Sequence, residues 1–539
     1  MPDITREYIA LRDQYIENRF RHLNPVQREA VFTTEGPLLI LAGAGSGKTT
    51  VLVNRIANII RFGAAHGSRE LTRAVTEQDL EELRTAVQTG RDLPREAAYL
   101  AVRPARPWNV LAITFTNKAA GELKERLRAM LGETVGGDVN ASTFHSACVR
   151  ILRRDAERIG FPRSFTIYDT DDQQRVLKQI YKDKMIDDKF LPVKSAVAQI
   201  SSFKDKLLSP EDVAAETPRD TKAALVAQIY SAYAVRLKQA GAMDFDDLIF
   251  HTVRLLQQDA EAREYYQNKF RYVVVDEYQD TSIAQFHLVR LLAGGTNNVC
   301  VVGDDDQSIY KFRGATIENI LNFEQVFTGA KTIRLEQNYR STSNILNAAN
   351  SVIKNNAGRK GKTLWTENGD GDKVHHYTAA NEQDEASHIA DIISENLRAG
   401  AHLRDHAVLY RMNAQSNPVE TYFARAGIPY RIVGGQRFFD RKEVKDINSY
   451  LAVIVNPRDD VRLRRIINEP ARKIGASTVE KVGELAAAAG VPMLQVIADV
   501  RSYPELSRAA AALEKFYEMY RELCGLSVSL PLDEFAGEV

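Results

Sequence analysis

A run of small residues ending in Gly47-Lys48-Thr49 follows the apolar stretch Leu38–Leu41. Glycines let backbone N–H groups converge on an anion, a lysine can hold the β- and γ-phosphates of a nucleotide, and a hydroxyl can bind Mg²⁺. The spacing predicts a strand, a phosphate loop and the start of a helix, although Ala42 stands where the usual motif begins with glycine. A simple helix cap would explain Gly47 but not Lys48. The candidate nucleotide-binding residues are Ala42, Gly43, Ala44, Gly45, Ser46, Gly47, Lys48, Thr49 and Thr50, with Thr49 also a metal ligand.

Two adjacent carboxylates, Asp276 and Glu277, end the apolar run Val273–Val275. In nucleotide-hydrolysing enzymes an aspartate at this position holds Mg²⁺ and a glutamate polarises the attacking water. An Asp-Glu pair after a strand is alternatively a helix N-cap, but a phosphate loop earlier in the chain favours the catalytic interpretation. A further predicted strand, Val299–Gly303, leads to Gln307, which could reach the γ-phosphate or its water.

Aromatic and basic residues follow Gln307 within a few positions. Tyr310, Phe312 and Arg313 form a cluster suited to stacking on bases and contacting phosphates close to the nucleotide site. The alternative for Phe312 is an ordinary core position, since aromatic side chains are commonly buried. The cluster predicts a nucleic-acid contact that responds to the bound nucleotide.

Two other predicted strand ends carry hydroxyls, amides and rings. Phe115 and Asn117 follow one strand, and Thr143 and His145 follow another. Such groups can hold a single strand through phosphates and base faces without reading its sequence. A capped helix with a satisfied histidine is the alternative for Thr143 and His145.

Arg340 lies in the segment Gln337–Ser341, at the start of the region that we predict to be a second sheet domain. From there it could reach across a cleft to the γ-phosphate as a charge-stabilising finger. A single arginine at such a position could equally form a surface ion pair.

Composition narrows the class of protein. With 71 basic and 71 acidic residues the formal net charge is zero, so nucleic-acid binding must come from local patches. The three cysteines, Cys148, Cys300 and Cys524, lie far apart, which argues against a zinc, iron–sulfur or disulfide framework. The chain has neither an apolar leader nor a run of about 18 apolar residues, which indicates a cytoplasmic protein with no membrane partner.

Alternating apolar runs and amphipathic stretches predict the α/β class, with parallel sheets covered by helices. The 539 residues are enough for several domains. We expect a first motor domain with a surface insertion, a helical domain inserted into it, the first half of a second sheet domain with strands at 332–335, 374–377, 406–410 and 430–433, and an incomplete helical insertion of that second domain. The predicted limits are 1–145 with 244–331 for the first motor domain, 63–107 for its surface insertion, 146–243 for the helical domain, 332–434 for the second sheet domain and 435–539 for the last helical segment.

The order of the phosphate loop, Asp276-Glu277-Tyr278-Gln279-Asp280, the Gly303–Ser308 segment and Gln337–Ser341 resembles the superfamily I DNA helicases of the UvrD/PcrA/Rep group. The resemblance runs from Leu23 to about Ser529. It implies two RecA-like motor domains, each with a helical insertion, that use ATP and Mg²⁺ to move 3′ to 5′ along single-stranded DNA and open duplex at a junction. Repair or replication would be the setting, with proteins of those pathways as possible partners and the bacterial nucleoid as the location.

The resemblance also assigns roles to single residues. Gln27 would recognise adenine, Tyr339 would stack on it, and Arg55 and Arg340 would contact phosphates. Lys48, Asp276, Glu277, Gln307 and Arg340 would form the catalytic set, with Thr49 and Asp276 as the Mg²⁺ ligands. DNA would lie over Phe115, Asn117, Thr143, His145, Tyr310, Phe312 and Arg313.

Three departures from the family pattern are visible. Phe312 stands where the family often has tryptophan, and Lys473-Ile474-Gly475 replaces a Gly-Ile-Gly turn that grips duplex DNA. Two later motifs of the family, which include a second arginine finger, do not occur in the 539 residues. These absences predict a helicase chain that lacks its C-terminal part, with weak hydrolysis and negligible unwinding. The alternative function is an ATP-gated module that binds single-stranded DNA without productive turnover.

Overall fold

The computed structural model describes residues 3–93, 98–216, 221–356, 358–433 and 442–538. They divide into two compact units, one formed by Met1–Gly371 with Ser449–Val539 and the other by Asp372–Asn448. No helix in the described ranges combines the length and apolar character needed to cross a bilayer. The site discussed below lies in the larger unit.

The described residues contain eight strands in two parallel sheets. A six-stranded sheet has the order β3-β2-β6-β7-β1-β8, and β4 pairs with β5 in a separate ribbon. The strands are β1 (Leu38–Ala42), β2 (Val110–Thr114), β3 (Asn140–Thr143), β4 (Thr166–Tyr168), β5 (Ala242–Asp244), β6 (Tyr272–Val275), β7 (Val299–Gly303) and β8 (Lys331–Leu335).

Helices surround and connect these strands. In the first half of the chain they are α1 (Asp3–Arg19), α2 (Pro25–Phe32), α3 (Lys48–Arg61), α4 (Glu77–Thr89), α5 (Asn117–Leu131), α6 (Glu133–Gly137), α7 (Phe144–Asp155), α8 (Thr170–Asp183), α9 (Val193–Asp205), α10 (Pro210–Glu216), α11 (Thr221–Gln239) and α12 (Phe245–Gln258). In the second half they are α13 (Ala260–Lys269), α14 (Ile283–Ala293), α15 (Glu318–Leu321), α16 (Phe323–Val326), α17 (Ser343–Ile353), α18 (Glu382–Arg398), α19 (Ser416–Ala426), α20 (Lys442–Val455), α21 (Asp460–Ile466), α22 (Ala476–Ala489), α23 (Met493–Ala498), α24 (Ala510–Ser529) and α25 (Leu532–Glu538).

The six-stranded sheet is buried on both faces, as parallel sheets are. Along β1, Leu38 and Ile40 pack into one core with α1, α3 and α4, whereas Leu39 and Leu41 pack into a second core on the opposite face. Side chains alternate between the two faces of a strand, so one continuous apolar run serves both cores. The sheet is therefore a rigid base for the loops that follow its strands.

The register aligns the carboxyl ends of the strands. Leu41 lies opposite Gly303 and Ala42 opposite Leu335, while Val275 pairs with both Val301 and Ile113. All six strands run parallel, so the segments after β1, β2, β3, β6, β7 and β8 emerge at one edge of the sheet. In open α/β folds this edge is where ligands bind.

The prediction that the segment at 332–335 opens a second sheet is wrong. It belongs to β8, whose residues pair along the whole of β1 and close one side of the first sheet. The three other predicted strands, at 374–377, 406–410 and 430–433, are not paired as strands within the described residues. Local β preference does not make a strand without a hydrogen-bonded neighbour, and a short apolar run does not reveal which sheet it joins. The predicted domain limits stay predictions.

Helices dominate the described parts of 146–243 and 442–538, as the sequence predicts. Helices α8, α9 and α11 share one core, and helices α20 to α24 share another. Asp244 begins α12 with a capping box that includes Asp247, and both carboxylates pair with the buried Lys204 of α9 at 2.6 and 2.7 Å. This ion cluster fixes the helical segment to the point where the chain returns to the sheet.

The described parts of the segment at 63–107 are integrated into the fold more closely than a surface insertion would be. Its helix α4 packs on α1, and Leu80 and Leu83 are buried in the core beneath the sheet. Its ends meet where the N–H of Ala64 donates to the carbonyl of Val102 at 2.8 Å. Closely spaced ends allow a long connection to enter a fold without disturbing the flanking helix and strand.

Candidate functional site

The phosphate loop has a shape that only glycine allows at two positions. Gly45 has φ +66° and Gly47, which precedes α3, has φ +84°. A Cβ atom on Gly45 would lie 2.6 Å from Nδ2 of Asn338, and one on Gly47 would lie 2.9 Å from Nε2 of Gln27. The loop therefore combines left-handed backbone with close neighbours. It also places the N-terminus of α3, a favourable anion site, at the carboxyl edge of the sheet.

Lys48 and Glu277 meet at this edge. The Lys48 Nζ donates to Oε2 of Glu277 at 2.8 Å. Burial alone would raise the pKa of Glu277, but the ammonium of Lys48 outweighs it and holds that pKa below its ordinary value. Glu277 also has φ +51°, a left-handed conformation that costs free energy for a residue with a side chain. The carboxylate is thus ionised at neutral pH and is held in a strained position.

Asp276, the first member of the carboxylate pair, is half-buried. Burial raises its pKa to about 6, and the charge of Glu277 adds to the effect. Its Oδ1 accepts the N–H of Glu277 at 2.9 Å, and its own N–H donates to the carbonyl of Ile113 at 2.9 Å. A partly desolvated carboxylate with a raised pKa is stabilised by a nearby cation, and oxygen donors such as Asp276 and Thr49 suit Mg²⁺.

A line of hydrogen bonds joins Glu277 to the end of β7. Nε2 of Gln279 donates to Oε2 of Glu277 at 3.0 Å, and Oε1 of Gln279 accepts the N–H of Asp304 at 2.9 Å. Asp304 then accepts Nε2 of Gln307 at 2.5 Å. Gln307 is therefore positioned by a carboxylate that is itself connected to the Lys48–Glu277 pair.

The predicted adenine-binding residues lie together. The N-cap residue Asn24 forms a capping box with Gln27, whose Nε2 donates to the carbonyl of Ser46 at 3.0 Å. Nδ2 of Asn24 also donates to the Tyr339 hydroxyl at 2.8 Å and to Gln337 at 3.2 Å. The Tyr339 side chain is 48% exposed. An amide and an exposed ring beside the phosphate loop are the groups needed to recognise and stack on a base.

The segment that carries Arg340 is tied directly to the phosphate loop. Nδ2 of the buried Asn338 donates to the carbonyl of Ala44 at 2.6 Å, and the N–H of Tyr339 donates to the carbonyl of Gly45 at 2.9 Å. Oδ1 of Asn338 accepts the N–H of Arg340 at 2.8 Å. The backbone of Arg340 is therefore fixed against the phosphate loop, which is what an arginine that contacts phosphates requires. Its side chain is exposed.

The prediction that Arg55 contacts phosphates is wrong for this structure. Arg55 lies about two turns into α3, and its side chain is buried. Its guanidinium donates to the carbonyl of Ala30 at 2.8 Å and that of Thr34 at 3.2 Å, and it also contacts the carbonyl of Thr33. Carbonyls at the end of a helix lack intrahelical donors, so Arg55 satisfies the end of α2.

The aromatic cluster after β7 is exposed. Phe312 is 68% and Tyr310 39% exposed, and the two ring centroids are 6.1 Å apart. The core alternative for Phe312 is thereby excluded. The side chain of Arg313 lies outside the described part of the chain. Exposed rings close in sequence to Gln307 are suited to stacking on successive bases.

The other residues predicted to contact DNA differ in solvent exposure and in the hydrogen bonds that they already make. Asn117 is exposed at the start of α5, and Phe115 is half-buried against Phe144 with ring centroids 5.6 Å apart. The Thr143 hydroxyl accepts the N–H of Ser146 at 3.2 Å and so caps α7, as in the alternative interpretation. Half-buried His145 has its pKa lowered by burial, so its ring is neutral at neutral pH.

The turn at Lys473 keeps the backbone of a glycine turn. Lys473 has φ +62°, a conformation that glycine adopts without strain, and its side chain is exposed. Next to it, Arg472 is fixed by its bond to the Ile466 carbonyl at 3.0 Å. The turn therefore presents a lysine where the family that the sequence resembles has glycine.

Sequence reasoning missed several residues that build this site. Asn24, Gln279, Asn338 and Lys362 each connect segments distant in the chain. Three of them stood in or beside segments already singled out: Asn24 three residues before Gln27, Gln279 within Asp276–Asp280, and Asn338 within Gln337–Ser341. Polar residues inside such motifs were a usable signal, whereas nothing in the sequence pairs Lys362 with β7.

A phosphate loop at the carboxyl edge of a parallel sheet, with a carboxylate pair after a neighbouring strand, defines a P-loop nucleotide-binding α/β protein. Residues 23–97 and 93–328 match the family model of the UvrD/REP helicase N-terminal domain, and residues 333–511 match that of the UvrD-like helicase C-terminal domain. The chain belongs to the UvrD/REP helicase family.

Individual relatives support the same family assignment. The chain is 46% identical over 519 residues to the ATP-dependent DNA helicase PcrA of Staphylococcus epidermidis, and 46% identical over 518 residues to that of Staphylococcus aureus. Each comparison covers 96% of the chain and 65% of the relative. The family matches include both the N-terminal and the C-terminal helicase domain, and so do not support the expectation of a chain without its C-terminal part.

Proposed function

We propose that this protein is an ATP-hydrolysing motor that moves 3′ to 5′ on single-stranded DNA and opens duplex at a junction, in DNA repair or replication. The observation that carries the proposal is the hydrogen-bonded line from Lys48 through Glu277 and Asp304 to Gln307, which ends five residues before the exposed Phe312. It gives a physical route between a nucleotide and a DNA-stacking surface. The PcrA relatives are bacterial ATP-dependent DNA helicases, which supports a bacterial cytoplasmic setting.

In this proposal Gln27 and Tyr339 hold the adenine, while Lys48 and Arg340 bind the phosphates. Thr49 and Asp276 would hold Mg²⁺, which would supply positive charge to the phosphate oxygens. When Lys48 moves from Glu277 to the γ-phosphate, Glu277 loses its ion pair and becomes available to accept a proton from the attacking water. The same exchange alters the contact of Glu277 with Gln279, and through it the end of β7.

DNA binding is proposed to rest on stacking and phosphate contacts. Tyr310 and Phe312 offer two aromatic ring faces, and Asn117 offers an exposed amide. Phe115 follows β2, and His145 follows β3. Such binding is weakly dependent on sequence, and its affinity falls as the salt concentration rises.

Replacing Phe312 with alanine is expected to weaken single-strand binding by about 1–3 kcal/mol, because one stacking face is lost. Fluorescence anisotropy with a labelled oligonucleotide measures the change. Tyr265→Ala is the matched control, since Tyr265 is also exposed but lies on α13, which leads to the amino end of β6. Equal affinities of the Phe312→Ala variant and the unmodified protein would remove Phe312 from the DNA surface.

The direction and outcome of movement are tested by strand displacement. Duplexes with either a 3′ or a 5′ single-stranded tail are incubated with the protein and ATP. A motor that loads on the tail and moves 3′ to 5′ displaces a strand only from the 3′-tailed duplex. Displacement from the 5′-tailed duplex alone would reverse the proposed direction. Binding without ATP-dependent displacement of either duplex would favour the ATP-gated binding module.

A further inference from the structure

Three consecutive carboxylates at the end of β7 are covered by a basic segment from beyond α17. Lys362 Nζ lies 2.7 Å from Oδ1 of Asp304 and 2.9 Å from Oδ2 of Asp306, and it also contacts Asp305. Arg359 forms a bidentate ion pair with Asp306, in which Nε donates to Oδ1 at 2.5 Å and Nη2 donates to Oδ2 at 2.8 Å. One ammonium therefore contacts the carboxylates of three successive residues, and the guanidinium of Arg359 adds a second positive charge.

This ammonium is buried, with only 2% of the Lys362 side chain exposed. Burial lowers the pKa of a lysine, but the carboxylates of Asp304, Asp305 and Asp306 outweigh it and hold the pKa of Lys362 above its ordinary value. Lys362 is therefore charged at neutral pH. A buried charge persists only when it is paired, so the lysine and the carboxylates depend on each other.

Asp304 has contacts beyond Lys362. One oxygen faces the lysine, and the other accepts Nε2 of Gln307 at 2.5 Å. Its backbone N–H donates to Gln279, which bonds to Glu277 at 3.0 Å. Lys362 thus lies at one end of a line of contacts whose other end is the Lys48–Glu277 pair.

The segment that carries Lys362 is itself held in place. The N–H of Lys360 donates to Oδ2 of Asp305 at 2.8 Å, and the N–H of Trp365 donates to the carbonyl of Glu336, just after β8, at 3.2 Å. The side chain of Leu364 lies against Gly43 of the phosphate loop. Lys362 and the segment around it fall within the match to the C-terminal helicase domain, whereas Asp304 falls within the match to the N-terminal one.

We propose that Lys362 is a positioning residue for ATP hydrolysis: by fixing Asp304 it holds Gln307 where it can act on the γ-phosphate or its water. This inference rests on the proposed function, because it requires that the protein hydrolyse ATP. Lys362 acts on the chemical step and not on nucleotide affinity, because the phosphate loop and the adenine-binding residues are held by contacts that do not include it.

The test compares Lys362→Met with the unmodified protein in steady-state ATP hydrolysis with saturating single-stranded DNA. Methionine keeps the length of the side chain and removes the charge. We expect kcat to fall by about 10- to 100-fold, the usual cost of losing a group that orients a reacting one, with the KM for ATP little changed. The matched control is Arg359→Met, which loses an ion pair to Asp306 but none to Asp304, and its kcat should stay near that of the unmodified protein.

A double variant shows whether Lys362 acts through Gln307. If it does, Lys362→Met with Gln307→Ala has the same kcat as Gln307→Ala alone, because the positioned group is already gone. If Lys362→Met does not fold, Lys362→Met with Asp305→Asn takes its place. This variant removes one of the opposing charges, and Asp305 has no contact with Gln307 among the bonds described.

The outcomes separate this inference from the function on which it rests. An unmodified protein that does not hydrolyse ATP would overturn both. An active unmodified protein together with a normal kcat in the Lys362 variant, or with losses that multiply in the double variant, would overturn the positioning role alone. A change confined to KM would also overturn it.

Discussion

Lys48→Ala is expected to lower ATP hydrolysis at least about 100-fold, because the positive charge proposed to bind the β- and γ-phosphates is lost. Nucleotide affinity should fall as well. The fold should persist, since the Lys48–Glu277 pair is partly exposed and such pairs contribute at most about 1 kcal/mol to stability. Steady-state hydrolysis and titration with a fluorescent ATP analogue measure the two effects.

Lys194→Ala serves as the control for this variant. Lys194 is an exposed lysine on α9 and is not among the predicted site residues. Its hydrolysis and nucleotide affinity should match those of the unmodified protein, and circular dichroism should show the same helix content in all three. Undiminished nucleotide binding by the Lys48 variant would remove the phosphate loop from the site.

Glu277→Gln is expected to keep ATP affinity and to lower hydrolysis by about 10²–10⁴-fold, the usual contribution of a general base. The amide has the size of the carboxylate but cannot accept the proton of the attacking water. In the unmodified protein the ammonium of Lys48 holds the pKa of Glu277 below its ordinary value, so the glutamate is in the base form at neutral pH. Rapid-quench hydrolysis separates this chemical step from ATP binding.

Glu125→Gln tests whether any exposed glutamate would give the same result. Glu125 lies on α5 and is exposed. Its variant should hydrolyse ATP normally. Hydrolysis by the Glu277 variant at the rate of the unmodified protein would place the general base elsewhere, with the adjacent Asp276 as an alternative carboxylate.

The parts of the site that the sequence predicts are those whose chemistry is local. The phosphate loop needs a strand, glycines and a lysine within a dozen residues, so its pattern survives in one short segment. Asp276 and Gln307 follow apolar strands, and parallel strands bring their carboxyl ends together whatever the order in the sheet. The α/β class and the position of the site at the carboxyl edge of the sheet were therefore predictable.

What could not be predicted depends on contacts between distant segments. A five-residue run does not reveal which sheet it joins, so the pairing of β8 with β1 could not be predicted. The burial of Arg55 follows from the end of α2, whose carbonyls need a donor. Lys362 binds carboxylates more than fifty positions earlier, and the spacing of charges along the chain does not reveal such pairs.

The most direct test of the central claim, that one site hydrolyses ATP in response to single-stranded DNA, is the rate of ATP hydrolysis by the unmodified protein titrated with an oligonucleotide. The Glu277→Gln variant is measured in parallel to identify the site. The account predicts that hydrolysis rises with oligonucleotide until the DNA surface is saturated, and that the variant stays near zero throughout. A rate independent of DNA, or equal stimulation in both proteins, would contradict it.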